Sequence, residues 1–167
     1  MKKTIALIEW RSLSAADVAT LLALSFTENE IEFAGSMRHA MILCRTVPRR
    51  RLRGYGIRSD EGFVGFVCLK RPPASPIWTP ADAVTLHGLK IGTEFRGRGY
   101  GGAALDAAFY EARSAWPAAR RLILSVDEDN SNAHRLYLSY GMQPVGVPVR
   151  GRVGMEFRLE KPFAAAD

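Results

Sequence analysis

Cysteine is scarce, with only Cys44 and Cys68 in 167 residues. Two thiols are too few for a disulfide scaffold, and the lone pair lacks the ligand spacing of a zinc site. They read as reduced thiols in or near the core, and no metal is expected. Long apolar runs are missing too. No stretch approaches the roughly 18 unbroken apolar residues that span a bilayer. The opening Thr4-Ile5-Ala6-Leu7-Ile8 meets Glu9 and Arg11 before a signal peptide's hydrophobic region is complete. A cytoplasmic protein with no membrane partner is expected. Internal repeats and linkers are also lacking, so one domain over residues 1–167 is expected, a length that one core can serve.

With 47% hydrophobic and 24% charged residues, the composition is that of a globular chain. A net charge of +6 suits a polyanionic partner without choosing among nucleic acid, acidic membrane and phosphorylated cofactor. Arg49-Arg50-Arg51-Leu52-Arg53 is the densest basic run. A nucleic-acid-binding or regulatory module would interleave aromatics with such charges, and only Tyr55 is nearby. No nucleic-acid partner is therefore expected.

Hydrophobic periodicity predicts a strand over 4–10, then a helix capped by Ser14, with Val18, Leu21 and Leu22 on one face. A second, shorter helix is predicted over about 31–40. Residues 53–58 and 62–70 read as a hairpin, and Pro72, Pro73, Pro76 and Pro80 enforce a loop after it. A strand over 83–91 runs into Gly97-Arg98-Gly99-Tyr100-Gly101-Gly102, followed by a helix marked by Leu105, Phe109, Ala112 and Trp116. A strand over 121–126 and a helix over 131–140 come next, closed by Gly141. Strands over 143–149 and 154–159, joined at Arg150-Gly151-Arg152, complete a mixed α/β sheet.

The glycine loop carries the first chemical signal. A bare backbone at a helix start leaves N–H groups aimed at one point, where the helix dipole favours an anion. Arg96 and Arg98 add full charges beside it. A Walker-type loop would end in Gly-Lys-Ser/Thr, whereas this one ends Gly102-Ala103. Gly97, Gly99 and Gly102 formally satisfy G-x-G-x-x-G. A dinucleotide fold, however, puts that pattern in its first strand–helix unit with an acid about 20 residues on. Here it lies past mid-chain, and position 122 is Leu.

Arg96-Gly97-Arg98-Gly99-Tyr100-Gly101, preceded by Leu89-Lys90-Ile91, resembles the acetyl-coenzyme A signature of the GNAT N-acetyltransferase superfamily. Asn130-Ser131-Asn132-Ala133-His134-Arg135-Leu136-Tyr137, followed by Gly141-Met142, resembles that family's later motif, with Met142 where Phe is usual. The resemblance implies a mixed, mostly antiparallel sheet with splayed central strands flanked by helices. It also implies acetyl-CoA as acyl donor and a primary amine as acceptor, joined by direct attack in a ternary complex. The pantetheine arm would bond to backbone at Leu89, Lys90 and Ile91. Pyrophosphate would sit on Arg96, Gly97, Arg98, Gly99, Tyr100, Gly101 and Gly102, with Asn130 touching the cofactor.

By the same resemblance, Tyr137 is expected to protonate the departing thiolate and His87 to serve as base. Tyr140 suits core packing better, and His39 and His134 are weaker bases by position. The segment 28–34 and residues 63–67 look similar to bacterial polyamine or diamine acetyltransferases, although Glu30 stands where many of those carry Gln. Glu28, Glu30, Phe33 and Asp127 are therefore expected to line a pocket for a small cationic amine, in a monomer or homodimer. Acetylation of protein N-termini or lysines is the alternative on the same core.

Overall fold

The computed structural model describes residues 3–164. Strands β1 (Ala6–Glu9), β2 (Leu52–Ser59), β3 (Gly62–Lys70), β4 (Ala83–Ile91), β5 (Arg121–Asp127), β6 (Gln143–Pro144), β7 (Val149–Arg150) and β8 (Met155–Pro162) form one sheet. Its order is β1-β2-β3-β4-β5-β8-β6, with β7 also paired to β8. Helices α1 (Ala15–Ala23), α2 (Glu28–Ala34) and α3 (Met37–Thr46) precede β2, α4 (Tyr100–Ala115) joins β4 to β5, and α5 (Ser131–Ser139) follows β5. Every strand pair is antiparallel except β4–β5. This is the mixed α/β sheet expected from the sequence.

The pleat of β3, reset by a bulge between the pairs Arg58↔Phe63 and Ile57↔Gly65, separates two cores. Val64, Val67 and Leu69 pack with α4 residues Ala104, Leu105 and Ala108, while Phe63, Phe66 and Cys68 pack with Leu21, Met37, Met41 and Cys44 from α1 and α3. Ser14 caps α1 as predicted, its hydroxyl accepting the Asp17 amide at 3.1 Å. The single helix expected over 31–40 is in fact two. Gly35, at φ +74°, ends α2, and the Ser36 hydroxyl accepts the His39 amide at 3.1 Å to start α3.

The basic run is tied into the fold. Arg49 makes a two-pronged pair with Glu9 at 2.6 and 2.7 Å, and the Arg53 guanidinium stacks 5.0 Å over Trp116. The expected strand over 143–149 is reduced to two-residue pieces, β6 and β7, separated by Gly146 at φ +70°. No helix among the described residues is long and apolar enough to cross a membrane.

Two irregularities shape the middle of the sheet. β4 and β5 pair only at Ala83↔Arg121, Val84↔Leu122 and Thr85↔Ile123. Beyond these, β4 stays with β3 as far as Ile91↔Gly65, and β5 stays with β8 as far as Asp127↔Glu156, so the sheet splits between them. The second is a bulge in β4 between the pairs Phe66↔Lys90 and Cys68↔His87. Gly88 sits in it at φ +59°, and a Cβ there would stand 3.0 Å from the Ala34 carbonyl oxygen. The end of α2 therefore rests directly on the bulge.

Candidate active site

Three adjoining cavities run through the split. One of about 450 Å³ lies against the glycine loop, one of about 200 Å³ lies at the split itself, and one of about 280 Å³ opens on the α3 side. Phe33, on α2, borders all three. The first two share Leu89, Asn130, Ala133 and Tyr137.

At the loop, Gly97 and Gly99 both take positive φ, +67° and +85°, and Gly99 is the N-cap of α4. The first intrahelical bond is from Ala103 to the Gly99 carbonyl, so the amides of residues 100–102 have no helical partner. Successive free amides beside left-handed glycines form an anion-binding concavity at the positive end of a 16-residue helix. Gly97, Gly99, Tyr100 and Gly101 line the cavity together with Arg96 and Phe95. A Cβ on Gly101 would make only an ordinary 3.4 Å contact with Leu136, so its absence matters chiefly to what approaches from the cavity.

Two loop residues depart from expectation. Arg98 turns away from the cavity to Glu61, where the Tyr100 hydroxyl also donates. Gly102 lies outside the cavity wall, nearest to Leu136. Arg96 does face the cavity, but its guanidinium is paired with Glu30. Glu30 is thus on the loop side of the site rather than in an acceptor pocket, and it also caps α2 by accepting the Thr27 amide at 2.8 Å. Glu28 is exposed on the first turn of α2 and borders none of the three cavities.

β4 presents backbone to the split. The Gly92 amide donates to the Val64 carbonyl of β3 at 2.9 Å. Strand alternation then turns the amide of Ile91 the other way, toward the open side, while Leu89 lies in the bulge. Lys90, between them, points to the opposite face of the sheet, where its ammonium donates to the Ala34 and Gly35 carbonyls at the end of α2. Burial pushes its pKa down to about 8. Its side chain is therefore a prop for α2.

Tyr137, on α5, stands where the first two cavities meet. Its hydroxyl makes no hydrogen bond to another described residue, and burial pushes its pKa up to about 12. It is a protonated donor across the ordinary pH range. Asn130 borders the same junction, but its side-chain oxygen caps α5 by accepting the Ala133 amide at 3.4 Å. Tyr140 is engaged elsewhere, donating to Asp106 at 2.9 Å.

His87 borders the split and the α3-side cavity, with Nε2 2.7 Å from Thr85 Oγ1. Burial, with the Lys70 ammonium nearby, pushes its pKa down to about 3. A ring held neutral in this way is a poor proton acceptor. Accepting a proton from an alkylammonium of pKa about 10.4 would be uphill by roughly 10 kcal/mol. The neutral ring acts as a hydrogen-bonding wall. Asp127, buried at the end of β5, borders the split.

Sequence reasoning missed Glu32, Arg152 and Glu156, which border the split with Asp127. Arg152 reaches from the β7–β8 turn to donate to the Glu32 carbonyl, strapping that turn across the end of α2. No local signal announces a contact between positions so distant in the chain. The glycine pattern of Arg150-Gly151-Arg152 reveals only the turn.

A family model described as the acetyltransferase (GNAT) family matches residues 17–142. No curated protein matches the sequence. Among solved structures, the chain is similar to spermidine N-acetyltransferase from Vibrio cholerae in complex with CoA and spermine. The TM-score is 0.72 at 16% identity, covering 95% of each chain. It is similar to aminoglycoside acetyltransferase AAC(6')-Ib with coenzyme A, with a TM-score of 0.75 at 15% identity, again covering 95% of each chain. The Campylobacter jejuni N-acetyltransferase PseH with acetyl coenzyme A gives a TM-score of 0.65 at 12% identity, covering 95% of this chain and 99% of that one.

Proposed function

Because the chain belongs to the acetyltransferase (GNAT) family, and is thus an acetyl-CoA-dependent N-acetyltransferase, we propose that it acetylates a small primary amine, which enters as an ammonium beside Asp127 and Glu156 and attacks directly in a ternary complex. The observation that carries this reading is the meeting of two cavities at Tyr137, one ending on the free amides of α4 and the other walled by carboxylates. Acetyl-CoA, when bound, supplies an activated acyl group.

The chain's own residues divide the remaining work. The amides of residues 100–102 and the backbone of Gly97 and Gly99 hold the cofactor's pyrophosphate, with Arg96 beside them. The amides of Leu89 and Ile91 hold its linear arm, and the Ile91 N–H polarises the carbonyl under attack. Tyr137 donates a hydrogen bond to sulfur as charge builds there. With its pKa at about 12 against roughly 8.5 for a thiol, full proton transfer is uphill by about 5 kcal/mol, so stabilisation through the hydrogen bond is its contribution. His87 and Asp127 orient the amine, whose proton leaves through water along the carboxylate wall.

Gly101→Ala tests the cradle. Alanine favours the helix by about 0.5–1 kcal/mol, so thermal stability holds or rises, while affinity for acetyl-CoA, read by titration calorimetry, falls. Unchanged affinity would place the pyrophosphate elsewhere.

The acceptor is tested by coenzyme A release with a panel of small primary amines and peptides, read against pH. Small amines turn over and peptides do not, because the strap from Arg152 to α2 closes the acceptor side into a cavity. A pKa of about 3 leaves His87 without a transition near neutrality. Accordingly, kcat/KM climbs tenfold per pH unit toward the amine's own pKa, and His87→Asn lowers that line without bending it. Turnover of peptides with small amines inert, or an inflection near pH 6.5 that His87→Asn abolishes, contradicts this reading.

A further inference from the structure

The charge on the cavity walls changes sign across His87. On the split side, Asp127 and Glu156 face the space, with Glu32 and Arg152 on the wall shared with the next cavity. On the α3 side, Lys70 and His39 take the place of the two acids. Glu32 contributes one negative charge to each side and Arg152 one positive. Acids therefore prevail toward the cofactor and cations prevail away from it.

The cations on the far side lack ion-pair partners. Neither Lys70 nor Arg152 pairs with a carboxylate among the described residues, although Arg49, Arg53, Arg96, Arg98 and Arg121 all do. Arg152 has a backbone carbonyl as its partner, and the Lys70 ammonium makes no hydrogen bond to another described residue. Lys70 is partly buried at the end of β3, and burial lowers its pKa. A cation withdrawn from water is normally paired. One left unpaired on the wall of a cavity of about 280 Å³ suits an anion that arrives with a ligand.

We propose that the acceptor is bipolar, a small amine carrying a carboxylate at its far end, with the ammonium between Asp127 and Glu156 and the carboxylate between Lys70 and Arg152. This rests on the amine-acetylation reading above and sharpens it. A diamine or polyamine would set a second ammonium against Lys70. An ω-amino acid places each charge against its opposite, and His87, at the boundary, is a neutral wall for the methylenes between them.

The test compares three acceptors with five carbons each, δ-aminovalerate, cadaverine and pentylamine, on the protein saturated with coenzyme A. Calorimetry measures binding, and coenzyme A release from acetyl-CoA measures turnover. δ-Aminovalerate is expected to bind at least about tenfold more tightly than cadaverine, roughly the worth of one charge-assisted hydrogen bond. Lys70→Met erases that preference and Lys70→Arg retains it, with unfolding temperatures confirming that both variants fold. Cadaverine binding better than δ-aminovalerate, or a preference indifferent to Lys70→Met, overturns the inference. Because binding is read without turnover, Lys70-dependent binding of δ-aminovalerate with no acetylation of any amine would uphold the anion site and defeat the acceptor reading alone.

Discussion

Tyr137→Phe is expected to lower kcat by about a hundredfold while leaving KM for acetyl-CoA nearly unchanged, the low end of what one positioned proton donor contributes. The expectation follows from three facts about one hydroxyl. It lies where the loop-side and split cavities meet, it has no partner among the described residues, and burial holds it protonated with a pKa of about 12. A group that engages only as charge develops on sulfur stabilises the transition state and not the ground state, so the loss falls on kcat. Unfolding temperature separates this from a packing role. Phe retains the ring, and removing an unpaired hydroxyl from a buried site does not destabilise. A variant that melts several degrees lower with kcat intact would make Tyr137 a core residue.

Gly65→Ala is expected to be the most damaging single methyl group for stability. A Cβ at Gly65 would fall far inside contact distance of the Lys90 carbonyl oxygen and also crowd the Ile91 side chain. The obstacle is backbone, held in register by Phe66↔Lys90 and Gly65↔Ile91, so it cannot swing aside as a side-chain end would. Strand β4 must shift where its amides face the split. Overpacking of this kind costs about 3 kcal/mol, measured as a lower denaturant midpoint with an unchanged slope. Acetyl-CoA affinity should fall with it if, as proposed, the displaced residues hold the cofactor's arm. Gly62→Ala at the neighbouring turn is the contrast, because its penalty comes only from φ at +103°, with nothing within 4 Å of the new atom.

Much of this was legible in the chain, and the division has a physical basis. The glycine loop, the α4 face and the Asn130–Tyr137 motif are local patterns, and hydrogen bonding within a few residues determines their form. The same holds for the Ser14 cap. The break at Gly35 was also local, but an amphipathic pattern continuing through it masked the new cap at Ser36. Long-range pairing was not legible. Arg98 looks like a phosphate ligand until Glu61, from another turn, claims it, and Glu30 looks like a pocket acid until Arg96 does. His87 carries the right chemistry for a base, yet its usefulness depends on burial set by α2, α3 and β3 together. A linear pattern encodes none of these.

The three-residue seam between β4 and β5 leaves a strand rim inside the protein instead of at its border. Exposed rims of unpaired amides and carbonyls invite other chains and lead to aggregation. Here α2 and α5 flank the rim, and it opens onto the cavities that meet at Tyr137. A ligand that docks on such a rim gains most if it carries amide groups of its own, which pair with free backbone donors and acceptors. The fold thus turns what would be a hazard at a sheet's border into backbone donors and acceptors reserved for whatever enters the split.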